Sequence, residues 1–187
     1  MNIFYLNNDP KICAQMHNDS HCSKMIIEYA QLMSTAHRVI DGDPYEGKTA
    51  NGRRIARWRH PIEKMENTLY KASHIKHPSN LWVRASQNHY NWLYEMWTHL
   101  CDEYTHRYGK IHETDRKLRD MLSSAPMQID VEPYVDPYLA MPDDVKQTNV
   151  VEAYKNYYIN YKKDFARWTK RPIPEFMSFE THAGYAS

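Results

Sequence analysis

His21, Lys24, Glu28, Gln31, Thr35 and Arg38 follow one another at steps of 3, 4, 3, 4 and 3. At about 100° per residue these side chains fall within an arc of roughly 100° on one helix face. The line offers an imidazole, an amine, a carboxylate, an amide, a hydroxyl and a guanidinium. A carboxylate and an imidazole can exchange protons with a substrate, an amine can attack carbon, and a guanidinium can hold phosphate. The plain alternative is a solvated face with i,i+4 pairs such as Lys24–Glu28.

Such a line needs a helix to carry it, and residues 19–41 supply one. Cys22, Met25, Ile26, Tyr29, Leu32, Met33, Ala36 and Val39 recur beside it at helical spacing and form the face for a core. Asp9-Pro10 reads as a cap followed by proline at the first helical position, so a helical region is expected from about 10 to 40, broken near 18–20. Asp-Gly-Asp-Pro at 41–44 ends it. A short helix is expected after Pro61. A third long helix, about 80–108, carries its own polar line of Arg84, Asn88, Asn91, Glu95, Thr98 and Asp102, placed to face the first across a cleft. Thr114 suits the start of a short helix to about 123. Residues 125–145, rich in proline and acid, read as an extended surface crossing. Asn149-x-x-Glu152 resembles a capping box opening a last helix that carries Val150, Tyr154, Tyr157, Tyr158, Tyr161, Phe165 and Trp168, and 175–187 reads as a loosely docked tail. The expectation is all-α: one compact domain over 1–187, with three main helices, several short ones and no strand beyond a short extended segment at 2–6.

Composition narrows the chemistry. The chain has 15 tyrosines and 5 tryptophans among its 187 residues, so aromatics supply much of the apolar area despite a mean hydropathy of −0.82. Neither G-x-G-x-x-G nor G-x-x-x-x-G-K-[ST] occurs, which disfavours the common nucleotide folds. A net charge of +1 confines any nucleic-acid binding to local patches. Three cysteines, Cys13, Cys22 and Cys101, form no C-x-x-C pair and suit a reducing cytoplasm. Cys22 and Cys101 lie on apolar stripes and are expected in the core. No signal segment or membrane span is expected.

Eleven histidines invite a metal reading, with His17, His21 and Cys22, or His74 and His77, as possible ligands. His17 and His21 share i,i+4 spacing, but Asn18 stands where the zinc-protease motif needs Glu. No metal and no cofactor are expected. Nucleic acid fits more of the chain. Arg53-Arg54-Ile-Ala-Arg57-Trp-Arg59 interleaves guanidinium groups with an aromatic, suited to phosphate contact and stacking. Lys71 to His77 is a second basic run.

Asp19-x-His21 with Glu28 beyond it, Ala50-Asn-Gly-Arg-Arg-Ile-Ala-Arg57, and Arg171-Pro after a Tyr- and Lys-rich helix resemble the bacteriophage pyrimidine-dimer DNA glycosylases of the endonuclease V type. The chain also resembles a group of uncharacterised phage proteins sharing Asp-Pro near the start, His-x-x-Lys-Met and His-Pro-x-x-x-Trp-x-Arg. The resemblance implies a helical enzyme that binds double-stranded DNA, flips a nucleotide and attacks the sugar through an amine, in the cytoplasm of a host cell. On it, Glu28 matches the catalytic carboxylate, His21 a histidine of the same helix, and Arg53 and Arg54 a DNA-contacting loop. Gln31, Arg38, Arg57, His74, His77, Arg84 and Asn88 are further candidates for substrate or DNA contact.

The amine differs from the family's pattern. The family uses the α-amine of a threonine exposed after Met removal, whereas Asn2 here is large enough that Met1 is expected to be retained. Met1 and Lys24 are the candidate amines; an α-amine has a reference pKa of about 7.7–8.0, and a lysine needs burial to become a nucleophile. Two other readings remain open: an enzyme that modifies a phage DNA base without excision, using Glu28 and His21 as acid and base, and a non-catalytic module that binds nucleic acid or a host protein.

Overall fold

A computed structural model of the chain describes residues 1–177; the expected tail beyond 177 lies outside them. Seven α-helices are described: α1 Pro10–Met16, α2 Asp19–Asp41, α3 Glu63–Thr68, α4 Pro78–Ala85, α5 Gln87–Tyr108, α6 Glu113–Leu118 and α7 Val150–Tyr161. A 3-10 turn, Asp143–Val145, precedes α7.

The all-α expectation is overturned by a β-hairpin. β1, Asp43–Lys48, pairs antiparallel with β2, Arg54–Arg59, in a register from Asp43 opposite Arg59 to Lys48 opposite Arg54. Asn51-Gly52 makes the turn. Gly52 sits at φ +79, the left-handed region that favours glycine, and its N–H donates to Thr49 O at 2.9 Å. Asn-Gly between two runs is a strong hairpin signal. It was hidden because arginines break the apolar alternation of β2, and because Pro44 argues against a central strand but is tolerated in a two-stranded ribbon.

Two helix boundaries also differ. The helix expected over 80–108 is two helices, parted at Ser86. There the backbone turns extended, and the hydroxyl caps α5 through Asn88 N–H while donating to Glu132 O at 2.7 Å. The last helix ends at Tyr161, short of Phe165 and Trp168. Asn149 caps it through Glu152 N–H at 3.0 Å, and Asn18 caps α2 through His21 N–H at 2.9 Å, the break anticipated near 18–20.

The core lies where α2 packs on α5, with α1, α4 and α7 around them. Trp97 donates from α5 to Ile26 O of α2 at 2.9 Å, and all three cysteines are buried there as free thiols. Residues 3–6 enter this core completely. The crossing after α6 lies along α4 and α5: Gln87 N–H reaches Asp130 O, Trp82 Nε1–H reaches Val135 O, and Val135 N–H reaches His89 Nε2.

Candidate active site

The first residues of the chain are drawn into the core, and this places their amine. Phe4 N–H donates to the Tyr29 hydroxyl at 3.1 Å, and Cys13 Sγ reaches Phe4 O at 3.2 Å. Ile3, Phe4, Tyr5 and Leu6 are all buried. The segment thereby lies across α2 with the Met1 α-amine 3.6 Å from Glu28 Oε1. The Met1 side chain is 9% exposed and that of Glu28 22%. An ion pair so sheltered is less screened than a surface one.

His21, about two turns before Glu28, is held from two sides. Its ring stacks on Phe4 at 4.1 Å, and Nδ1 lies 2.6 Å from the Tyr158 hydroxyl of α7. Tyr158 also accepts Asn18 N–H at 3.4 Å, which leaves its own hydrogen for His21 Nδ1. Burial first, then the positive charges of His17, Lys162, Lys24 and the chain's amino group, push His21 down to about 3. At neutral pH it is an uncharged, oriented ring.

A loop from α3 to α4 supplies two more histidines. Ser73 N–H donates to Thr35 Oγ1 of α2 at 3.3 Å; Asn80 Nδ2 holds Ser73 O and His74 O; Arg84 Nη2 holds Ile75 O at 2.6 Å. His74 is thereby fixed at a positive φ of 50. His77 caps α4, its Nδ1 accepting Ser79 N–H at 3.1 Å. Burial, then the Met1 amine and His74, lower the His77 pKa, while Glu28 opposes them. The amine, Glu28 and His74 therefore all act electrostatically on the His77 ring. This cluster combines a potential nucleophile with a potential proton carrier in one half-sheltered place.

The other candidate residues separate by what occupies them. Lys24 is exposed, so the burial that a lysine nucleophile needs is absent there, while Gln31 is half-buried one turn beyond Glu28. Arg53 and Arg54 stand exposed on the hairpin, and the Arg54–Glu46 contact of 3.4 Å joins two largely solvated side chains, worth little. Arg57 donates inward to Ala72 O and so ties the hairpin to the histidine loop. Arg38 is a correction. It is buried and all five of its N–H groups are taken, by Tyr70 O, Trp58 O, Glu66 Oε2, Glu66 O and Leu69 O, so it fastens the hairpin and α3 to α2 and has no donor left for a substrate. Arg84 likewise serves the loop, and Asn88 serves the crossing through Glu132 O at 2.7 Å. The polar line expected over 80–108, which α4 and α5 divide between them, therefore does not line a cleft with that of α2 at these two positions.

The metal reading of His17 and His21 also changes. His17 Nδ1–H donates to Cys13 O at 2.8 Å and Nε2 accepts from Tyr29 at 2.7 Å, so neither nitrogen is available to a metal. A buried network without a long-range sequence signal lies nearby: Arg107 bonds Glu103, Asp19, His17 O and Gln15 O, and Glu103 also takes Arg171. Only the i,i+4 spacing of Glu103 and Arg107 hinted at it. Comparison with known proteins finds no match among family models, curated proteins or solved structures.

Proposed function

We propose that this chain is a DNA-directed enzyme that acts on a nucleobase or its N-glycosidic bond, with the Met1 α-amine as nucleophile and Glu28 as its partner. The observation that carries this reading is the amine held 3.6 Å from the Glu28 carboxylate by four buried residues. Ordering a chain terminus costs conformational entropy, and a purely structural end has no need of that expense beside a carboxylate.

The chemistry is as follows. The uncharged amine attacks C1′ of a flipped nucleotide, the C1′–N bond breaks, and the base leaves with the electron pair and takes up a proton. The C1′–O4′ bond then breaks as the amine nitrogen, having lost its proton, forms a C=N bond to C1′, and O4′ takes up a proton to become a hydroxyl, leaving a ring-opened imine. Positive charge that develops on the sugar and nitrogen faces Glu28, which stabilises it and can receive the amine's proton. The His77 ring feels both the amine and Glu28, and His21, within reach of the amine's charge, stays a neutral ring. Flipping a base costs a few kcal/mol, which phosphate contacts from Arg53, Arg54 and the Lys71–His77 run would offset. This function needs a free amine on Met1, which intact-mass measurement of the purified protein checks.

Glu28→Gln keeps the shape of the site and removes its charge. It should lower turnover on damaged or modified duplex DNA by at least about 100-fold, consistent with loss of a pre-placed electrostatic group. DNA binding and melting temperature should stay nearly unchanged. A matching fall in melting temperature would make Glu28 a structural residue. Clean alteration of a base with no strand product would instead favour modification without excision, and salt-sensitive binding with no turnover the non-catalytic module.

A further inference from the structure

At the far end of α2, His37, Asp41 and His60 each bring one ligand-type atom to within 4.8 Å of the others. All three are buried. His37 and Asp41 lie one turn apart on the helix, and the hairpin returns His60 to them. Gly42 permits this return: a Cβ there would collide with Arg38 O and Arg59 O.

Their hydrogen bonds define the hydrogens. The Tyr90 hydroxyl donates to Leu122 O at 2.7 Å, so its oxygen accepts His37 Nε2–H at 2.8 Å. His37 Nδ1 is therefore a bare lone pair, and no partner meets it. The Ser124 carbonyl lies within hydrogen-bond reach of this ring but could bond it only in the other tautomer, which would deprive Tyr90 of its hydrogen for Leu122 O. His60 Nδ1 accepts Ile62 N–H at 3.1 Å, while its buried Nε2 has no partner. Asp41 receives Met127 N–H at 2.7 Å and Gln128 N–H at 3.0 Å, one on each oxygen, with lone pairs to spare. Buried polar atoms are nearly always paired, so two unpartnered nitrogens turned to one carboxylate point to a missing occupant. Burial lowers the pKa of both rings, that of His37 to about 4, and so keeps them in the neutral form that ligates.

We propose that His37, Asp41 and His60 bind a divalent transition-metal cation of the zinc type through two imidazole nitrogens and one carboxylate oxygen. Nitrogen and oxygen donors at about 2.0–2.2 Å suit such an ion, and binding would draw the three atoms closer together. The ion takes the lone pair of His37 Nδ1 directly. At His60 it takes Nε2, so the single ring hydrogen moves to Nδ1 and the bond from Ile62 N–H ends; the neutral ring neither gains nor loses a proton overall. The bound ion would pin the foot of the hairpin to α2 and, through Asp41, to the crossing at Met127 and Gln128. A water molecule is the competing occupant. It would accept from His60 Nε2–H, donate to His37 Nδ1 and leave the His60 hydrogen where it is.

The test is a titration of the full chain, stripped with chelator, with Zn²⁺ alone. One equivalent should bind, and at free Zn²⁺ about a hundred times Kd the melting temperature should rise by about 5–10 °C. Long-range ¹H–¹⁵N spectra should show the His60 hydrogen moving from Nε2 to Nδ1. Asp41→Asn and His60→Gln should each weaken binding at least about 100-fold, since even outer partners of metal ligands cost 10–100-fold. Asp41→Asn also disturbs two backbone bonds, so His60→Gln is the deciding variant, with circular dichroism to show that it folds. Absence of one-equivalent binding, binding retained in His60→Gln, or a His60 ring that keeps Nε2–H would each overturn the proposal.

Discussion

The two ends of α2 carry the same residue type in opposite states. Near its start, both nitrogens of His17 are partnered and His21 is clasped by Tyr158 and Phe4. Near its end, His37 and His60 each keep a buried nitrogen with no partner. The difference lies in what surrounds the rings. Tyrosine hydroxyls and a backbone carbonyl meet the nitrogens of the first pair, whereas in the second pair the Tyr90 hydroxyl meets only one His37 nitrogen and the free nitrogens share space with a carboxylate already engaged by two backbone N–H groups. A histidine-rich helix is therefore no guide to a metal until each ring nitrogen is accounted for. At the first end the rings pack beside the place where the Met1 amine meets Glu28.

The sharpest way to break the contrast is to remove a buried arginine at the first end. Arg107 is fully buried, holding Glu103, Asp19, His17 O and Gln15 O. Arg107→Met should destabilise the fold by about 3–5 kcal/mol in urea unfolding, because it strands a buried carboxylate. A loss under 1 kcal/mol would show that Arg171 alone can serve Glu103.

Next comes pH. Burial depresses the pKa of His17 to about 4 and of His21 to about 3, below the unfolded value of about 6.5. The unfolded chain thus binds more protons, and stability rises with pH across this window. The contribution is complete above about 6.5 and is lost as pH falls toward 4 and then 3, about 3 kcal/mol for His17 and about 5 kcal/mol for His21. His17→Gln should flatten part of the slope between pH 6.5 and 4 in denaturant midpoints. An unchanged slope would mean that carboxylates alone set the acid limit.

Gly42→Ala should have the smallest effect, about 1–3 kcal/mol, since its Cβ forces α2 and β2 apart. It should also disturb the His60 end of α2 while leaving the Met1–Glu28 end untouched, as resonance shifts confined to the hairpin and its surroundings would show. Shifts spread over both ends would mean that α2 couples them.

The helices were legible because their signals are local. Asn18 and Asn149 cap where their side chains allow, Pro10 opens α1, and Gly109 at φ +69 closes α5. The polar line of α2 was legible as a line, but spacing cannot say which members face solvent and which are claimed from inside. Glu28 stays available at the half-sheltered edge, while Arg38 is consumed by carbonyls of α3, its following loop and β2 that no periodicity places beside it. The hairpin was missed because its turn was the only clean signal in a run of arginines. The Met1–Glu28 pairing was illegible for another reason: it depends on residues 3–6 being drawn over α2 by Tyr29 and Cys13, a tertiary event.

The most direct measurement is borohydride trapping on duplex DNA that carries a damaged or modified pyrimidine. The chain with a free Met1 amine should form a covalent adduct whose peptide maps to residue 1. The same chain with its α-amine blocked should form none while still binding DNA with a steep salt dependence. An adduct that survives the block, or maps to Lys24, would contradict the role of the Met1 amine. No adduct and no base release from any such duplex would contradict the glycosylase chemistry.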